Sequence, residues 1–411
     1  MNEQLLSAID KNDLIQIASD LIRFKSFKGE ETPLAKYLAR WFEERGYEVD
    51  LDEVEDGRFQ TIATLRGKGG GKSLMFNAHL DINSMTRGWD RDPWEPWVED
   101  DKLFGHGVQN MKGGLAAMIV AADAFRKAGV DLKGDIVLAC VVGETQGGEG
   151  THHLMERGFR TDAAILTEPY GRGNLCTKHA GILHFALHVR GKSAHLSTPE
   201  GTVHAVRKMA SVIQRLDSLS FSAEHDPSLP GLPRHNIGSI IGGRGDAYIL
   251  YDAPYIPDMC TIIVDVHFLP SQSVEEIIND VEAHLQPLKD EDPELNIEIE
   301  VPPPPFFKGR RRLVMPPADV PVDADIVKLV AKNFSKVSGL PVGTIGAVLP
   351  AAYSACDSSW LWKAGIPCLN YGPSTGGLAK SGPEGAYVVI SEMEEVAKVL
   401  ALTAVEFCEA S

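Results

Sequence analysis

The sequence predicts an α/β protein with a mostly parallel sheet and helices on both faces, interrupted by a smaller α+β domain. Short apolar segments alternate with long amphipathic ones in the first and last parts of the chain. The middle of the chain instead follows the order strand, helix, strand, strand, helix, strand, which is typical of a ferredoxin-like unit. A length of 411 residues exceeds one ordinary domain and accommodates two.

The larger domain is predicted at residues 1–180 and 300–411. Its buried strands are SLMFNAHL, DIVLACVV, DAAILTE and, late in the chain, IPCLNYG. MKGGLAAMIVAADAFRKAG has the length and apolar face of a helix, and Gly129 provides its C-cap. Three further helices are predicted at DADIVKLVAKNF, DSSWLWKAG and EMEEVAKVLALTAVEFCEA. This alternation favours parallel strands joined by helices.

The inserted domain is predicted at residues 181–299. ILHFALHVRG alternates like a half-buried strand, and a helix follows from about Glu200 to Asp217. HNIGSIIGG and CTIIVDVHFLP are two further strands, SVEEIINDVEAHL is an amphipathic helix and LNIEIEV is the last strand. A sheet covered by helices on one face leaves an edge strand that can pair with a second copy of the chain.

Composition excludes several classes of partner. A net charge of −17 argues against nucleic acid and anionic membranes, since binding phosphate requires basic clusters. The one basic run, Lys308 with Arg310 to Arg312, lies among prolines and is interpreted as a solvated loop. No apolar stretch approaches the roughly 20 residues of a membrane helix, and the acidic N-terminus does not resemble a signal peptide. Six cysteines without CxxC spacing favour buried thiols in a reducing cytoplasm.

Four segments at or just beyond strand ends carry metal-binding or acid–base side chains. They are NAHLDIN with His79 and Asp81, GHGVQNMKGG with Asn110, VVGETQGGEGT with Glu144 and Thr145, and ILTEPYG with Glu168. The carboxyl ends of neighbouring parallel strands meet at one crevice of a sheet. We therefore expect these side chains to lie close together although they are far apart in sequence.

The order HxD, GxGxxxMKGG, GExxGGxGT and EP resembles the di-zinc aminoacylase and carboxypeptidase family, which includes acetylornithine deacetylase, succinyl-diaminopimelate desuccinylase and relatives of glutamate carboxypeptidase. The resemblance covers nearly the whole chain. GKSAHLSTPEG and NIGSIIGG are similar to the family's inserted dimerisation domain, and GIPCLNYGPS is similar to the start of its final motif. The resemblance implies a metal-dependent hydrolase that cleaves a C–N bond of a small carboxylate-bearing substrate. It also implies that the protein forms a homodimer through the inserted domain.

The resemblance also implies roles for individual residues. His79 matches a ligand of one metal, and Asp81 matches the carboxylate that orients this histidine. Glu168 matches a second ligand of the same metal. Glu144 matches the general base that accepts a proton from water. His195 matches a histidine of the inserted domain that reaches across the dimer and stabilises the developing oxyanion.

Three positions depart from the family pattern, and all belong to the second metal. Asn110 replaces the bridging aspartate, Thr145 replaces a glutamate ligand and Lys380 replaces a histidine ligand. Two neighbouring divalent ions need anionic ligands between them, whereas these changes remove negative charge and add a lysine. We therefore predict one divalent ion per chain, held by His79, Asn110, Glu168 and water, with Lys380 as a fixed cation in the catalytic site. The oxygen-rich ligand set suits manganese or zinc, with ferrous iron as an alternative.

Each site residue also has an ordinary structural interpretation. His79 and His195 can be surface histidines, and Lys380 can be an exposed loop lysine. Asn110 can cap the following helix, either alone or while also binding a metal. Thr145 is better suited to hydrogen bonding than to metal ligation.

Residues near the main motifs have the same two interpretations. His106 and His267 stand where the family usually has arginine, and either can contact substrate. Trp89, Trp94 and Trp97 can flank an aromatic ligand, although packing of a connecting loop is the commoner role of such residues.

Three functions remain open from the sequence. The first is hydrolysis of an amide in an N-acyl amino acid or peptide. The second is hydrolytic deamination of an aromatic amine such as a nitro-substituted aminobenzoate, which a site with one ion also suits. The third is a non-catalytic binding protein on the same scaffold. The retained Glu144 opposes the third, since a binding protein has no need of a general base.

Overall fold

The computed structural model describes residues 2–85, 87–304, 314–376 and 384–410. The chain divides into two compact units, Met1–His179 with Ala318–Ser411, and Ala180–Pro317. The second unit extends beyond the predicted boundary at residue 299, to Pro317. The larger unit belongs to the α/β class that the sequence predicts.

The bounds of the regular elements follow in chain order. The helices are α1 (Asn2–Ser7), α2 (Lys11–Ile22), α3 (Thr32–Glu43), α4 (Gly113–Ala128), α5 (Glu149–Glu156), α6 (Ala205–Leu216), α7 (Val274–Glu291), α8 (Asp325–Ser338), α9 (Ser358–Lys363) and α10 (Ile390–Cys408). The strands are β1 (Glu48–Glu55), β2 (Arg58–Leu65), β3 (Leu74–His79), β4 (Trp97–Glu99), β5 (Lys102–Phe104), β6 (Ile136–Val141), β7 (Ala163–Leu166), β8 (Leu175–Cys176), β9 (Lys178–His179), β10 (Gly181–Arg190), β11 (Arg234–Gly243), β12 (Met259–Phe268), β13 (Asn296–Glu300), β14 (Ala318–Asp319), β15 (Ile345–Gly346), β16 (Cys368–Asn370) and β17 (Tyr387–Val389).

The main sheet of the larger unit has the strand order β1-β2-β6-β3-β7-β16-β8-β15 in the described part of the chain. Its centre is parallel, because β3 pairs in parallel with both β6 and β7, and β16 pairs in parallel with β7. Its first strands are antiparallel, since β2 pairs with β1 and β6 in that sense. The parallel centre directs the carboxyl ends of β3, β6 and β7 to one edge of the sheet, where the predicted site residues follow.

Helices cover both faces of this sheet. Phe76 of β3 lies in the core that contains Leu115 and other residues of α4. The next residue, Asn77, points to the opposite face, where its amide donates a hydrogen bond to the hydroxyl of Thr151 in α5 at 3.2 Å. β3, β6 and β7 are buried along their whole length, as the continuous apolar segments predict.

The close approach of α4 to the segment just after β7 depends on Gly114. A Cβ at this position would lie 2.0 Å from the carbonyl oxygen of Thr167. We expect Gly114→Ala to lower the free energy of unfolding by about 1–3 kcal/mol, because α4 or the segment after β7 must shift to make room for the added methyl group. Gly238→Ala, whose Cβ would meet only the Ile263 carbonyl oxygen at 3.8 Å, serves as the control in denaturant titrations. Equal unfolding midpoints for the two variants would contradict the expectation.

The inserted unit contains the predicted strand–helix–strand–strand–helix–strand succession, from β10 and α6 to α7 and β13. Its described sheet has the order β11-β12-β10-β13 and is antiparallel. A separate core forms between the sheet and the helices, and it includes Phe185, Met209 and Val281. The helix predicted from about Glu200 begins only at Ala205, because His204 accepts a hydrogen bond from the Arg207 amide and caps it there.

Two expectations from composition concern the whole chain. All six cysteines are buried and free, as predicted. Within the ranges that the structure describes, no helix is both long enough and apolar enough to cross a membrane.

Candidate active site

His79 occupies the end of β3 and is almost completely buried. Its Nδ1 lies 2.8 Å from the main-chain oxygen of Asp81, and because a carbonyl can only accept, Nδ1 must carry hydrogen. Its Nε2 lies 2.9 Å from Oδ1 of Asn110 and 3.6 Å from Oε1 of Glu168. While the ring is protonated, Nε2 donates to the amide oxygen of Asn110, and a metal ion that replaced this proton would meet oxygen atoms of Asn110 and Glu168 close to Nε2.

The carboxylate of Asp81 holds the turn that carries Glu144. Its Oδ1 accepts a hydrogen bond from the Glu144 amide at 3.0 Å, and its Oδ2 accepts from the amide and hydroxyl of Thr145 at 3.1 and 2.5 Å. The resemblance implies that this carboxylate orients His79, but in the structure it lies 3.6 Å from Nδ1. The main-chain oxygen of Asp81 contacts the ring instead, and Thr145 has the hydrogen-bonding role that its side chain favours.

Asn110 lies in an irregular turn, Val108–Lys112, between β5 and α4. The backbone angles of Asn110, φ −154° and ψ 98°, are not helical. The alternative that Asn110 caps α4 is wrong, since Lys112 occupies the capping position and makes no side-chain capping bond. The amide oxygen of Asn110 faces His79 instead.

Glu168 follows β7 and is also buried. Burial raises the pKa of this carboxyl, although the nearby His79 opposes the shift. Burial also disfavours a charged imidazole at His79, but the carboxylates of Glu168, Asp81 and other neighbours outweigh it and raise the pKa of His79 to about 10. The pocket around His79 thus favours a positive charge, which either a proton or a metal ion can supply.

The donor atoms of His79, Asn110 and Glu168 fit a divalent ion. Ligand atoms bound about 2.1 Å from one ion lie about 3.0–3.4 Å apart, close to the 2.9 and 3.6 Å that separate these atoms from Nε2. Across residues 2–85, 87–304, 314–376 and 384–410, no three side chains of the types His, Cys, Asp and Glu are arranged to hold a metal. Among the described residues, the amide oxygen of Asn110 is the further donor close to His79 and Glu168 that could contribute to such a site.

Glu144 begins a single turn of 3-10 helix, Glu144–Gln146, just beyond β6. Left-handed backbone at Gly143, Gly147 and Gly148 allows the chain to reverse tightly on both sides of this turn, which explains the glycines in the motif. Glu144 is partly exposed, unlike His79 and Glu168. It contributes to the raised pKa of His79, so its carboxylate belongs to the same electrostatic cluster.

Asp357 is a member of this cluster that the sequence analysis does not identify. Its side chain is buried, and neither carboxylate oxygen has a hydrogen-bond partner. Burial, followed by the charge of Glu144, raises the pKa of Asp357 well above its ordinary value. In sequence, an aspartate just before a helical segment predicts an N-cap, but Asp357 makes no capping bond to α9. Only the tertiary structure reveals its surroundings.

The aromatic residues of the connecting segment pack mainly against one another. Trp97 stacks on Phe104 with ring centroids 5.1 Å apart and planes within 5°. Trp89 and Trp94 meet the ring of His106 edge-on, at 6.0 and 5.2 Å. His106 also contacts the main-chain oxygen of Asn83 through Nε2 at 2.9 Å. These contacts give Trp97 and His106 a packing role beside the site.

His195 and Lys380 are the two remaining predicted site residues. His195 lies in the inserted unit, where it is exposed and its Nδ1 lies 2.8 Å from the Ser197 hydroxyl. Lys380 lies outside the described residues. His267 also belongs to the inserted unit and contacts Asp265 at 3.2 Å.

Comparison with known proteins gives consistent matches across the chain. The family model for peptidase family M20/M25/M40 matches residues 75–406. The chain is 29% identical over 433 aligned residues to the N-formyl-4-amino-5-aminomethyl-2-methylpyrimidine deformylase of Halalkalibacterium halodurans, covering 99% of this chain and 97% of that protein. It is 29% identical over 266 residues to acetylornithine deacetylase of Photorhabdus laumondii, covering 62% and 66% of the two chains.

Solved structures share the fold. An M20 family metallo-carboxypeptidase from Sulfolobus solfataricus superposes with a TM-score of 0.73 at 16% identity, covering 96% of this chain and 99% of that one. Aminopeptidase PepT from Bacillus cereus gives a TM-score of 0.72 at 18% identity, with 97% and 99% covered. The chain belongs to peptidase family M20/M25/M40, and it is a metal-dependent hydrolase that acts on carbon–nitrogen bonds.

Proposed function

We propose that this protein cleaves the amide bond of a small N-acyl compound with the help of one divalent metal ion. The observation that carries this proposal is the approach of an Asn110 oxygen and a Glu168 oxygen to Nε2 of His79, at 2.9 and 3.6 Å. Thr145, at the position of a second-metal ligand, already donates to Asp81. The nearly full-length similarity to a deformylase supports amide cleavage.

The ion, bound by His79, Asn110 and Glu168, would act as a Lewis acid that polarises the substrate and acidifies water. Glu144 accepts the proton from the attacking water and passes it to the leaving nitrogen as the C–N bond breaks. Asp81 fixes the Glu144 turn through its two main-chain amides. Lys380 and His195, the latter from the partner subunit, stabilise negative charge on the substrate.

Hydrolytic deamination of an aromatic amine is the second candidate. The observation that favours it is the loss of acidic ligands at Asn110 and Thr145, because amide hydrolysis in this family usually uses two ions. In deamination, water attacks a ring carbon and ammonia leaves. The residues would keep their roles, and the product would distinguish the two reactions.

The expected substrate is small and carries a carboxylate, for which Lys380 is the proposed partner. The expected assembly is a homodimer formed through the inserted unit. In the described part of this unit β11 lies at an edge of the sheet and carries the exposed side chain of Ile240, and an edge strand can pair with a second copy. Sedimentation analysis of the whole chain would test the dimer.

A product-based assay tests the proposed function. Purified protein with manganese or zinc is incubated with N-formyl and N-acetyl amines, N-acyl amino acids and aminobenzoates. Release of the free amine and the acyl acid supports amide cleavage, whereas ammonia release supports deamination. Elemental analysis should find about one ion per chain. Two tightly bound ions, or no turnover of either class by the loaded protein, would refute the proposal.

Metal binding should strengthen as the pH rises. Below its pKa of about 10, His79 is protonated in the metal-free protein, and an ion must displace that proton. The apparent affinity for Mn²⁺ should therefore increase about tenfold per pH unit between roughly pH 6 and 9. Calorimetry at about pH 7.5 in buffers of different ionisation enthalpy should show the release of about one proton. An affinity that does not change with pH would contradict this role of His79.

A further inference from the structure

Arg58, at the start of β2, is buried and forms hydrogen bonds with two separate segments of the chain. Its side chain is only 2% exposed. On one side, Nε and Nη2 donate to the carboxylate of Glu31 at 3.0 and 2.6 Å. On the other side, Nη2 donates to Oε1 of Gln146 at 2.9 Å and Nη1 donates to Oε2 of Glu149 at 2.5 Å. Arg58 therefore joins the N-terminal part of the chain to the loop that carries Glu144.

The guanidinium packs directly against this loop. A Cβ on Gly143, the residue before Glu144, would lie 2.9 Å from Nη2 of Arg58. The next inward residue of β2, Gln60, extends the contact: its side chain accepts from the Val142 amide at 3.3 Å and donates to the Gly150 carbonyl at 3.2 Å. The start of β2 thus supports the loop on both sides of the Glu144 turn.

Asp81 and Arg58 hold the turn through different atoms. Asp81 accepts from the main-chain amides of Glu144 and Thr145, at the start of the turn. Arg58 donates to the side chains of Gln146 and Glu149, at its end and just beyond. Because the turn is held at both ends, the Glu144 carboxylate can move only by rotation about its own side-chain bonds. General-base catalysis requires such restriction, because the carboxylate must stay within about 0.5 Å of its productive position.

We propose that Arg58 is a positioning residue for Glu144, acting through Gln146 and Glu149. This inference rests on the proposed role of Glu144 as general base. Only arginine suits this position. Its planar guanidinium presents separate N–H groups to three acceptors at once, whereas the single ammonium group of lysine cannot reach all three in this geometry. Burying such a charge is costly, so well-packed apolar residues would give comparable stability without it. Apolar packing would not, however, provide directional hydrogen bonds to the loop that carries Glu144.

The test removes one of the two loop-side contacts of Arg58, the one with Gln146, and leaves the Arg58–Glu31 pair intact. Gln146→Met keeps the approximate volume of the side chain and deletes the loop-side acceptor of Nη2, which still donates to Glu31. We expect kcat to fall about 10–100-fold with KM and metal content unchanged, because misplacing a catalytic group by about 1 Å costs up to about 100-fold. Gln146→Glu retains the acceptor, and its kcat should stay within about threefold of the parent.

A structural role alone would not produce this pattern. Asn333→Leu is the matched control, since Asn333 is buried in α8 and donates to Thr403 at 3.2 Å, outside the site. It removes a buried polar contact of the same kind, and its kcat should match that of the parent. If Gln146→Met and Asn333→Leu lose the same activity in proportion to their loss of thermal stability, the proposal is overturned.

Hydrogen–deuterium exchange of the metal-loaded protein separates this proposal from the proposed function. Gln146→Met should speed exchange in the segment 142–150 and leave exchange in α4 unchanged. Unchanged exchange in segment 142–150 would overturn the positioning role, whatever the activity. Activity retained in Glu144→Gln would instead overturn the general-base role, while the exchange result would still report whether Arg58 orders the loop.

Discussion

Glu144→Gln should lower kcat by about 10²- to 10⁴-fold while leaving the metal content of the protein unchanged. The amide has nearly the same shape as the carboxylate but cannot accept the proton of the attacking water. The main-chain amide of Glu144 still donates to Asp81, so the turn should keep its conformation. Metal content should persist because the proposed ligands are His79, Asn110 and Glu168.

Steady-state kinetics and elemental analysis of the same preparations check this expectation. Glu156→Gln, an exposed position at the end of α5, provides the control for a change of charge near the site. Glu144→Gln with parental turnover would remove Glu144 from the mechanism. A variant that loses its ion would show that Glu144 is a ligand, and the proposed division of roles would be wrong.

The positions of the proposed acid–base and metal-binding residues along the sheet follow from the sequence alone. His79 and Glu168 come at the ends of buried apolar strands, and parallel pairing of β3 with β7 brings their side chains within 3.6 Å. The same reasoning predicts α4 and its left-handed C-cap at Gly129. These features depend on local patterns and on the geometry common to parallel sheets.

Features that depend on tertiary contacts are not accessible in this way. The sequence motif HxD gives no indication that the Asp81 carbonyl, instead of its carboxylate, contacts the His79 ring. Asp357 lies far along the chain and appears there as an ordinary helix-capping residue. Arg58 follows a turn signal, DG, and nothing nearby identifies Gln146 or Glu149 as its partners. In each case the important contact is a tertiary one, and no periodic pattern in the sequence indicates which residues it joins.

His79→Ala should weaken metal binding by more than about 100-fold, since loss of a supporting residue beyond the ligands already costs 10- to 100-fold. Removing the imidazole deletes the only nitrogen donor among the proposed ligands and leaves Glu168 buried without its nearby imidazole. The protein should then lose both its ion and its activity. His225→Ala, at an exposed histidine of the inserted unit, provides the control.

The pair Asn110→Ala and Thr145→Ala distinguishes one ion from two. Asn110 supplies an oxygen 2.9 Å from Nε2 of His79, so its removal should also weaken metal binding. Thr145 donates its hydroxyl to Asp81 and holds no proposed ion, so Thr145→Ala should keep the parental stoichiometry of about one ion per chain and slow the reaction only by loosening the Glu144 turn. A site with two ions would respond differently, because both positions would be ligands of the second ion. Loss of half the bound metal in Thr145→Ala, measured by elemental analysis, would therefore exclude the single-ion site.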